Sequence, residues 1–292
     1  MNRVTIYFFS LLAISLSLTL IGSGCGKKDT PPAADGKPTD NASKPSDGNK
    51  AGDGNVVAPV DGKPAIKPGT GTITGIAIFD GTPSGCMPPG KLPETTGCEA
   101  PKDKSYQNCE QKWIVLGDNK VVANVVVVLR PPSGETFQAG KRTDELVLDQ
   151  PFCAFVPHVI SIKPGQKLVV KNSAKIVHDT KVHGDGKNQQ EAGGVVPIDG
   201  KREFTIYPQT KPLTVNCTNH PWMNGIIWAF NHPYSDVTGE AGTFKIENVP
   251  TGVKLKVEAW HEGMEGSGFF HSEEFTLEPK EEKKLKLTVK PK

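Results

Sequence analysis

Short runs of β-branched and apolar residues, separated by Gly, Pro, Asn and Asp, fill the chain from residue 71 onwards. Clear runs are residues 71–79, 121–130 and 282–289. Runs of this length between turn-forming residues predict strands, and no segment keeps a 3.6-residue apolar period over the length of a helix. Residues 125–129 are apolar without a break, which predicts a strand covered on both faces. The spacing predicts an all-β protein built from sandwiches or barrels.

The first 25 residues have the features of an export signal rather than of a folded domain. Arg3 gives a short basic start, residues 4–21 are almost wholly apolar, and small residues precede Cys25. Cys25 resembles the processing site of bacterial lipoproteins, where the cysteine becomes the lipidated first residue. Gly22 stands where that motif usually has Leu, so an uncleaved helical anchor is the alternative. Both predict a membrane-anchored protein in the periplasm or at the cell surface.

Composition separates a tether from the ordered region and excludes some functions. Residues 26–70 are rich in Gly, Pro, Asp, Lys and Ser, which predicts a disordered linker. The formal net charge is only +2, and no long basic stretch with interleaved aromatic residues occurs, so we expect no nucleic-acid partner. The chain has no Ser/His/Asp signature, phosphate-binding Gly loop or zinc-protease helix, so we do not expect an enzyme.

One stretch of seven residues, Cys217-Thr218-Asn219-His220-Pro221-Trp222-Met223, holds three kinds of metal ligand. A thiolate, an imidazole and a thioether, with a second imidazole, make a blue-copper site of two His and one Cys with a weak axial Met. His178, which lies upstream after a strand-like run, can supply the second imidazole. Zinc rarely uses a thioether, and an iron–sulfur cluster needs more thiolates. The alternative is that Cys217 is a buried thiol, His220 a surface residue and Met223 core filling.

The region around these ligands, residues 147–233, resembles a cupredoxin of the amicyanin and plastocyanin kind. The residues that carry the resemblance are 155–157, 160–166, 169–172, His178, 217–223 and 225–227. The resemblance implies a Greek-key β-sandwich or barrel and one type 1 copper ion that cycles between Cu(I) and Cu(II). It also implies that His178, Cys217, His220 and Met223 are the ligands.

The same resemblance assigns roles to neighbours of the ligands. Asp179 stands where cupredoxins usually have Asn, and we expect it to hydrogen-bond with Thr218 across the two loops. Its negative charge should favour Cu(II) and lower the reduction potential. Pro221 and Trp222 are expected to form the surface on which a redox partner docks. The alternative is that Trp222 packs against the flanking domain.

The flanking segments resemble a different family. Residues 71–75 and 121–129 are similar to the opening strands of a carboxypeptidase-regulatory-like, prealbumin-type β-sandwich, and residues 242–252 match its G-x-F-x-I-x-x-(V/L)-P-x-G element. We therefore predict one β-sandwich from residues 71–146 plus 234–292, with the cupredoxin of residues 147–233 inserted into it. The alternative is a single extended cupredoxin with extra strands at both ends.

Four further cysteines are expected to form disulfides, because export leads to an oxidising compartment. Four cysteines allow three pairings, and the sequence alone does not choose among them. We favour Cys109–Cys153 and Cys86–Cys98.

The other histidines are predicted to have no metal role. We expect His183 to lie in a solvated loop and His158 to be structural. His232 and His261, near strand ends, are expected to be structural or on the surface.

Together these features predict a membrane-tethered type 1 copper protein that carries single electrons between redox partners outside the cytoplasm. Two alternatives remain open from the sequence. One is a copper storage or delivery protein, and the other is a structural lipoprotein in which the cupredoxin-like part is only a scaffold.

Overall fold

Strands account for almost all regular structure in the computed structural model, which describes residues 64–82, 98, 114–140, 142–189, 193–264 and 268–290. In these ranges the helical structure is one 3₁₀ turn at Gly186–Gln189, and the predicted all-β class is confirmed. The strands are β1 (Ala65–Ile66), β2 (Gly71–Phe79), β3 (Val115–Leu116), β4 (Val121–Val122), β5 (Val126–Arg130), β6 (Thr136–Phe137), β7 (Glu145–Leu148), β8 (Val159–Ile162), β9 (Lys167–Lys171), β10 (His178–His183), β11 (Gly194–Val196), β12 (Lys201–Phe204), β13 (Leu213–Asn216), β14 (Asn224–Ala229), β15 (Ser235–Val237), β16 (Thr243–Val249), β17 (Leu255–Trp260), β18 (His271–Phe275) and β19 (Glu282–Val289).

Strands β7–β14 form two sheets, which we call the inner sandwich. One sheet has the order β11-β10-β13-β14-β8 and the other has the order β12-β9-β7. Strand β8 runs parallel to β14, whereas β10, β13 and β14 pair antiparallel. Both sheets contribute apolar side chains to one core, including Ile160, Leu168, Leu213 and Ile227. Burial of this core fixes the register, because a one-residue slip would turn each strand's apolar set towards water.

Most strands before and after the inner sandwich form a second pair of sheets, the outer sandwich, whereas β1 and β6 pair only with each other. The orders of the two outer sheets are β15-β5-β17-β18 and β16-β2-β4-β3, and β19 adds to β2 in parallel. Strand β16 shows the expected alternation, since Phe244 and Ile246 are buried between exposed neighbours. Described strands of the two sandwiches pair only within their own sandwich. That the inner sandwich is an inserted domain remains a prediction.

A third apolar cluster lies where the two sandwiches meet. It contains Val126 and Val128 of β5, Val159 of β8, Trp228 of β14 and Trp260 of β17. The opposite face of β5 packs into the outer core, so residues 125–129 are fully buried as predicted. The outer sandwich therefore covers one face of β8 and β14, the strands beside the metal-ligand loop.

The predicted run at residues 121–130 is broken in the structure at Asn124. This residue has a φ of 66°, in the left-handed region that Asn tolerates better than most residues. Its backbone N–H donates to the Thr238 carbonyl, which turns the chain from β4 into β5. Strand propensity does not predict this break, because a single Asn that tolerates the left-handed conformation interrupts an otherwise uniform apolar run.

The predicted disulfide pairing is wrong. The structure joins Cys98 to Cys153, with a Cα–Cα distance of 5.0 Å, and both favoured pairings gave these residues other partners. A disulfide needs Cα atoms within about 7 Å, so the pairing follows from chain approach in the fold rather than from spacing in the sequence. Cys86 and Cys109 lie outside the described residues.

The predicted export signal, Cys25 and residues 26–63 of the predicted linker also lie outside the described residues. The linker was predicted to extend to residue 70, but Ala65–Ile66 form β1, which pairs with β6, and Ile66 is buried in the outer core. In the ranges that the structure does describe, no helix is both long and apolar enough to cross a membrane.

Candidate metal centre

His178 is the first residue of β10, and a short loop ahead of the strand sets its position. Asn172 is buried, and its Nδ2 donates to the carbonyls of Ile176 and Val196 at 2.9 Å. Its Oδ1 accepts the N–H of Ala174. A buried amide satisfied from both ends holds a loop in one conformation, so His178 enters the strand with a defined direction.

The loop from Cys217 to Met223 joins β13 to β14 and closes on itself through the backbone. The N–H of Cys217 donates to the Met223 carbonyl at 3.2 Å, and the N–H of Met223 donates to the His220 carbonyl at 2.8 Å. Strands β13 and β14 are paired up to Asn216 and Asn224, directly at both ends of the loop. The three potential ligands of this loop are therefore carried on a hairpin connection anchored in the sheet.

Three donor atoms converge between the loop and β10. His178 Nδ1 lies 3.0 Å from His220 Nδ1, and Cys217 Sγ lies 3.5 Å from His220 Nδ1 and 3.9 Å from His178 Nδ1. The two imidazoles and the thiol are buried, and Cys217 is the only free cysteine among the described residues. Convergence of two imidazole nitrogens on one free thiol is the arrangement expected of a metal-binding group.

Burial keeps the rings of His178 and His220 in the neutral form. Burial, with a smaller contribution from His220, lowers the pKa of His178 to about 4. Burial also lowers the pKa of His220, against an opposing effect of Asp179. Both rings are therefore neutral near pH 7, which is the form that binds metals. His178 Nε2 is buried without a hydrogen-bond partner.

The Cys217 thiol is held in its protonated form in the absence of a metal. Burial raises its pKa, and the hydrogen bond that it donates to Asp179 raises it further. A coordinated metal reverses this preference, because a coordinating thiol loses its proton. A metal that binds to Cys217 would therefore displace this proton.

Asp179 connects the two ligand-bearing segments, as the sequence led us to expect. Its Oδ1 accepts the thiol of Cys217 at 2.9 Å and the backbone N–H of Thr218 at 2.6 Å. Its own N–H donates to Cys217 Sγ at 3.5 Å. Burial raises the pKa of Asp179, but hydrogen bonds from Cys217, Thr218 and Asn219 outweigh this and leave it below its usual value. A negative charge therefore lies directly beside the sulfur.

One supporting residue, Gln150, could not be identified from the sequence. This side chain is fully buried, and its Nε2 donates to the Asp179 carbonyl and to Thr180 Oγ1, both at 3.2 Å. These hydrogen bonds hold the start of β10 in place at Asp179 and Thr180, the two residues that follow His178. Gln150 has no motif around it, and only the fold brings it to a strand 28 residues further along the chain.

Met223, Trp222 and Pro221 surround the His220 side of the centre. Met223 is buried in the same core cluster as Cys217. The Trp222 ring meets the His220 ring edge-on with centroids 5.2 Å apart, and it packs on the inner core rather than on the outer sandwich. Pro221 is exposed. The docking role of Pro221 and Trp222 remains a prediction.

The other histidines, for which no metal role was predicted, lie outside the group of His178, Cys217 and His220. His183 is exposed, but it lies on β10 rather than in a loop, and its Nε2 pairs with Asn216 Oδ1 at 2.9 Å. His158 bridges the Asn224 carbonyl and Glu262, which ties β14 to the outer sandwich. His232 and His261 are buried, which excludes the surface alternative for both.

Comparisons with known proteins give matches to solved structures only. No family model matches the chain, and no curated protein matches it. Amicyanin from Paracoccus versutus matches with a TM-score of 0.26 and 19% identity, covering 30% of this chain and 83% of amicyanin. A purple cupredoxin from Nitrosopumilus maritimus matches with a TM-score of 0.25 and 15% identity, covering 30% of this chain and 98% of that one.

A copper-containing nitrite reductase from Thermus scotoductus also matches, with a TM-score of 0.27 and 17% identity, over 35% of this chain and 25% of the reductase. At these TM-scores the likeness carries no argument about this chain. We therefore infer function from the side chains of the centre.

Proposed function

We propose that this chain is a type 1 copper protein that carries single electrons outside the cytoplasm, tethered to a membrane by its N-terminal region. The observation that carries the proposal is the convergence of His178, Cys217 and His220, with the three donor atoms within 3.9 Å of one another. With Met223 from the same loop, the donor set is the His₂Cys plus weak thioether set of blue-copper proteins.

The donor set fits copper better than the other metals that cysteine and histidine bind. Structural zinc sites use four strong ligands, whereas this group offers a thiol, two imidazoles and a thioether. Bound copper would supply a one-electron couple between Cu(I) and Cu(II). The protein's own residues would hold the metal in place and exclude water from it, since His178, Cys217 and Met223 are each no more than 1% exposed.

The surroundings of the ligands favour electron transfer over release of the metal. Asn172 holds the loop before His178, Gln150 pins the start of β10, and Asp179 joins β10 to the Cys217 loop. Ligands held by outer hydrogen bonds stay in position when the charge of the metal changes. Little rearrangement between oxidation states favours fast electron exchange, whereas a delivery protein needs ligands that open.

Voltammetry and a chelator challenge on the copper-loaded full chain test this proposal together. We expect a reversible one-electron wave whose amplitude survives repeated cycling in excess chelator. Loss of copper to the chelator on each cycle would contradict the electron-carrier function and favour copper delivery. Failure to bind copper at all would favour the scaffold function. The redox partner is expected to be a protein, and a docking role for Pro221 and Trp222 belongs to the same proposal.

A further inference from the structure

A second group of possible ligands lies against the first and shares one residue with it. The sulfur atoms of Cys98 and Cys153 and a ring nitrogen of His220 all lie within 4.8 Å of one another. The sulfur atoms of Cys98 and Cys153 form the disulfide. His220 is thus close both to the free thiol of Cys217 and to a disulfide.

The two cysteines reach His220 from different parts of the chain. Cys153 follows β7 of the inner sandwich, whereas Cys98 belongs to the connection between β2 and β3 of the outer sandwich. Both are buried, and both belong to the core cluster that contains Cys217 and Met223. The disulfide therefore lies in the wall of the metal centre rather than at a distant surface.

The backbone at Cys153 supports a role beyond cross-linking. Its φ is 54°, in the left-handed region that non-glycine residues adopt only with strain. Strained residues of this kind concentrate at functional sites, where surrounding structure holds them in place. In this conformation the Cys153 sulfur is bonded to Cys98 and lies within 4.8 Å of a ring nitrogen of His220.

The chemistry of the pair depends on its oxidation state. As a disulfide, the two sulfur atoms are bonded to each other and are poor ligands. A dithiol reductant supplies two electrons and two protons. The S–S bond between Cys98 and Cys153 breaks, two S–H groups form, and the reductant is left as a disulfide. Two soft thiols beside an imidazole then suit Cu(I), which favours sulfur donors. On binding, the thiol protons leave to solvent and no electron is transferred.

We propose that the reduced pair Cys98 and Cys153, with His220, is an entry site for Cu(I) that the disulfide closes. Because His220 belongs to both groups, copper held at the entry site is already bound to a ligand of the Cys217 centre. It can pass between the two groups without leaving the protein. The existence of the entry site is independent of the proposed electron-carrier function, whereas the transfer step rests on it.

The experiment isolates the entry site by removing the other four cysteine thiols. The background protein is the full chain with Cys25→Ser, Cys86→Ser, Cys109→Ser and Cys217→Ala. It lacks the Cys217 thiolate on which the proposed function rests, while His178, His220 and Met223 remain in both oxidation states. Only Cu(I) uptake that appears after reduction therefore reports on Cys98 and Cys153. The probe is Cu(I) offered as its bicinchoninate complex without oxygen, before and after reduction of the protein and removal of the reductant.

We expect the reduced background protein to take one Cu(I) per chain from the chelator. The oxidised background protein should bind Cu(I) at least about tenfold more weakly, since loss of even an outer-shell partner has an effect of that size. Adding Cys98→Ser and Cys153→Ser should abolish the uptake after reduction. Equal binding in the two oxidation states, or uptake that survives both serine substitutions, would overturn the proposal.

A second measurement covers the case in which the serine variants do not fold. Cu(I) bound to the reduced background protein should block alkylation of Cys98 and Cys153 by iodoacetamide, as mapped by mass spectrometry. Equal alkylation with and without Cu(I) would overturn the entry site with no need for further substitutions.

The transfer step is tested in the same chain with Cys217 restored. The Cu(I)–bicinchoninate complex is added to reduced or oxidised protein, and samples are oxidised with ferricyanide at fixed times. We expect the thiolate-to-copper absorption to develop at least about tenfold faster from reduced protein, because a ligand shared within one molecule raises the effective concentration of copper. Equal rates would overturn the transfer. Absence of this absorption in both states would instead contradict the proposed function.

Discussion

The buried pair His178 and His220 and the buried ring of His232 differ in what their ring nitrogens face. His178 and His220 turn Nδ1 towards each other and towards Cys217. His232 instead belongs to a row of aromatic rings, between Phe230 and Tyr234, with ring centroids 5.6 and 6.1 Å away. Its Nδ1 accepts the N–H of Tyr234.

Burial and charge state do not separate the pair from His232. Burial lowers the pKa of His178 to about 4, and burial with the nearby Arg130 lowers that of His232 to about 3. Both rings are neutral near pH 7. Only convergence of several donor atoms distinguishes a candidate ligand from a histidine that serves as an apolar ring. Substitutions in the aromatic row should therefore affect stability, and substitutions in the centre should affect metal properties.

Trp228→Ala should have the largest effect on stability. Trp228 is buried where the two sandwiches meet, stacked on Phe230 at 5.4 Å and edge-on to Trp260 at 5.4 Å. Removal of such a ring lowers the free energy of unfolding by about 3–5 kcal/mol. Denaturant unfolding measures the change.

Trp222→Ala is the matched control, since this ring is only partly buried beside His220. It should lower the free energy of unfolding by less than about 2 kcal/mol. Equal losses of unfolding free energy in the two variants would mean that Trp228, at the junction between the sandwiches, contributes no more to stability than Trp222 beside His220.

Acid should destabilise the aromatic row through His232. The pKa of His232 is about 3 in the folded protein and about 6.5 in an unfolded chain. Between these values the unfolded chain binds a proton that the folded protein does not, so stability falls as the pH drops below 6.5 and levels off below 3. Between pH 7 and pH 4.5 this residue alone should account for a loss of about 2–3 kcal/mol.

His232→Phe keeps an aromatic ring and removes the proton, so its free energy of unfolding should fall less over the same pH range. His178, with a pKa of about 4, adds its own loss in both proteins and cancels in the comparison. Identical pH slopes in wild type and variant would show that His232 is not a buried neutral ring.

The comparison also shows which parts of the protein the sequence could predict. Strand runs and the ligand loop are local patterns, so the all-β class and the burial of residues 125–129 followed from them. His178 lies 39 residues before Cys217, and its grouping with the loop rested on the resemblance to cupredoxins. Asn124 broke a predicted run through one backbone angle. The Cys98–Cys153 pair and the support from Gln150 depend on long-range approach, which no local pattern encodes.

Asp179→Asn should have the smallest effect, on the reduction potential of the centre. The Asp179 carboxylate lies 2.9 Å from Cys217 Sγ, where its negative charge favours Cu(II). Its removal should raise the potential by up to about 59 mV, which is a tenfold change in the preference for one oxidation state over the other. Voltammetry of copper-loaded protein measures the shift.

Thr218→Ala is the control, because the backbone N–H of Thr218 still donates to Asp179 after the substitution. Its potential should move less than that of Asp179→Asn. A potential that does not change in Asp179→Asn would remove the electrostatic role of this carboxylate.

The most direct test of the central claim is a Cu(II) titration of the full chain, followed by visible absorption and EPR, beside Cys217→Ala. Wild type should give an intense thiolate-to-copper absorption and narrow copper hyperfine splitting at one copper per chain, and the variant should lose both. A weak ordinary Cu(II) spectrum that is the same in both proteins would contradict a copper centre built on Cys217.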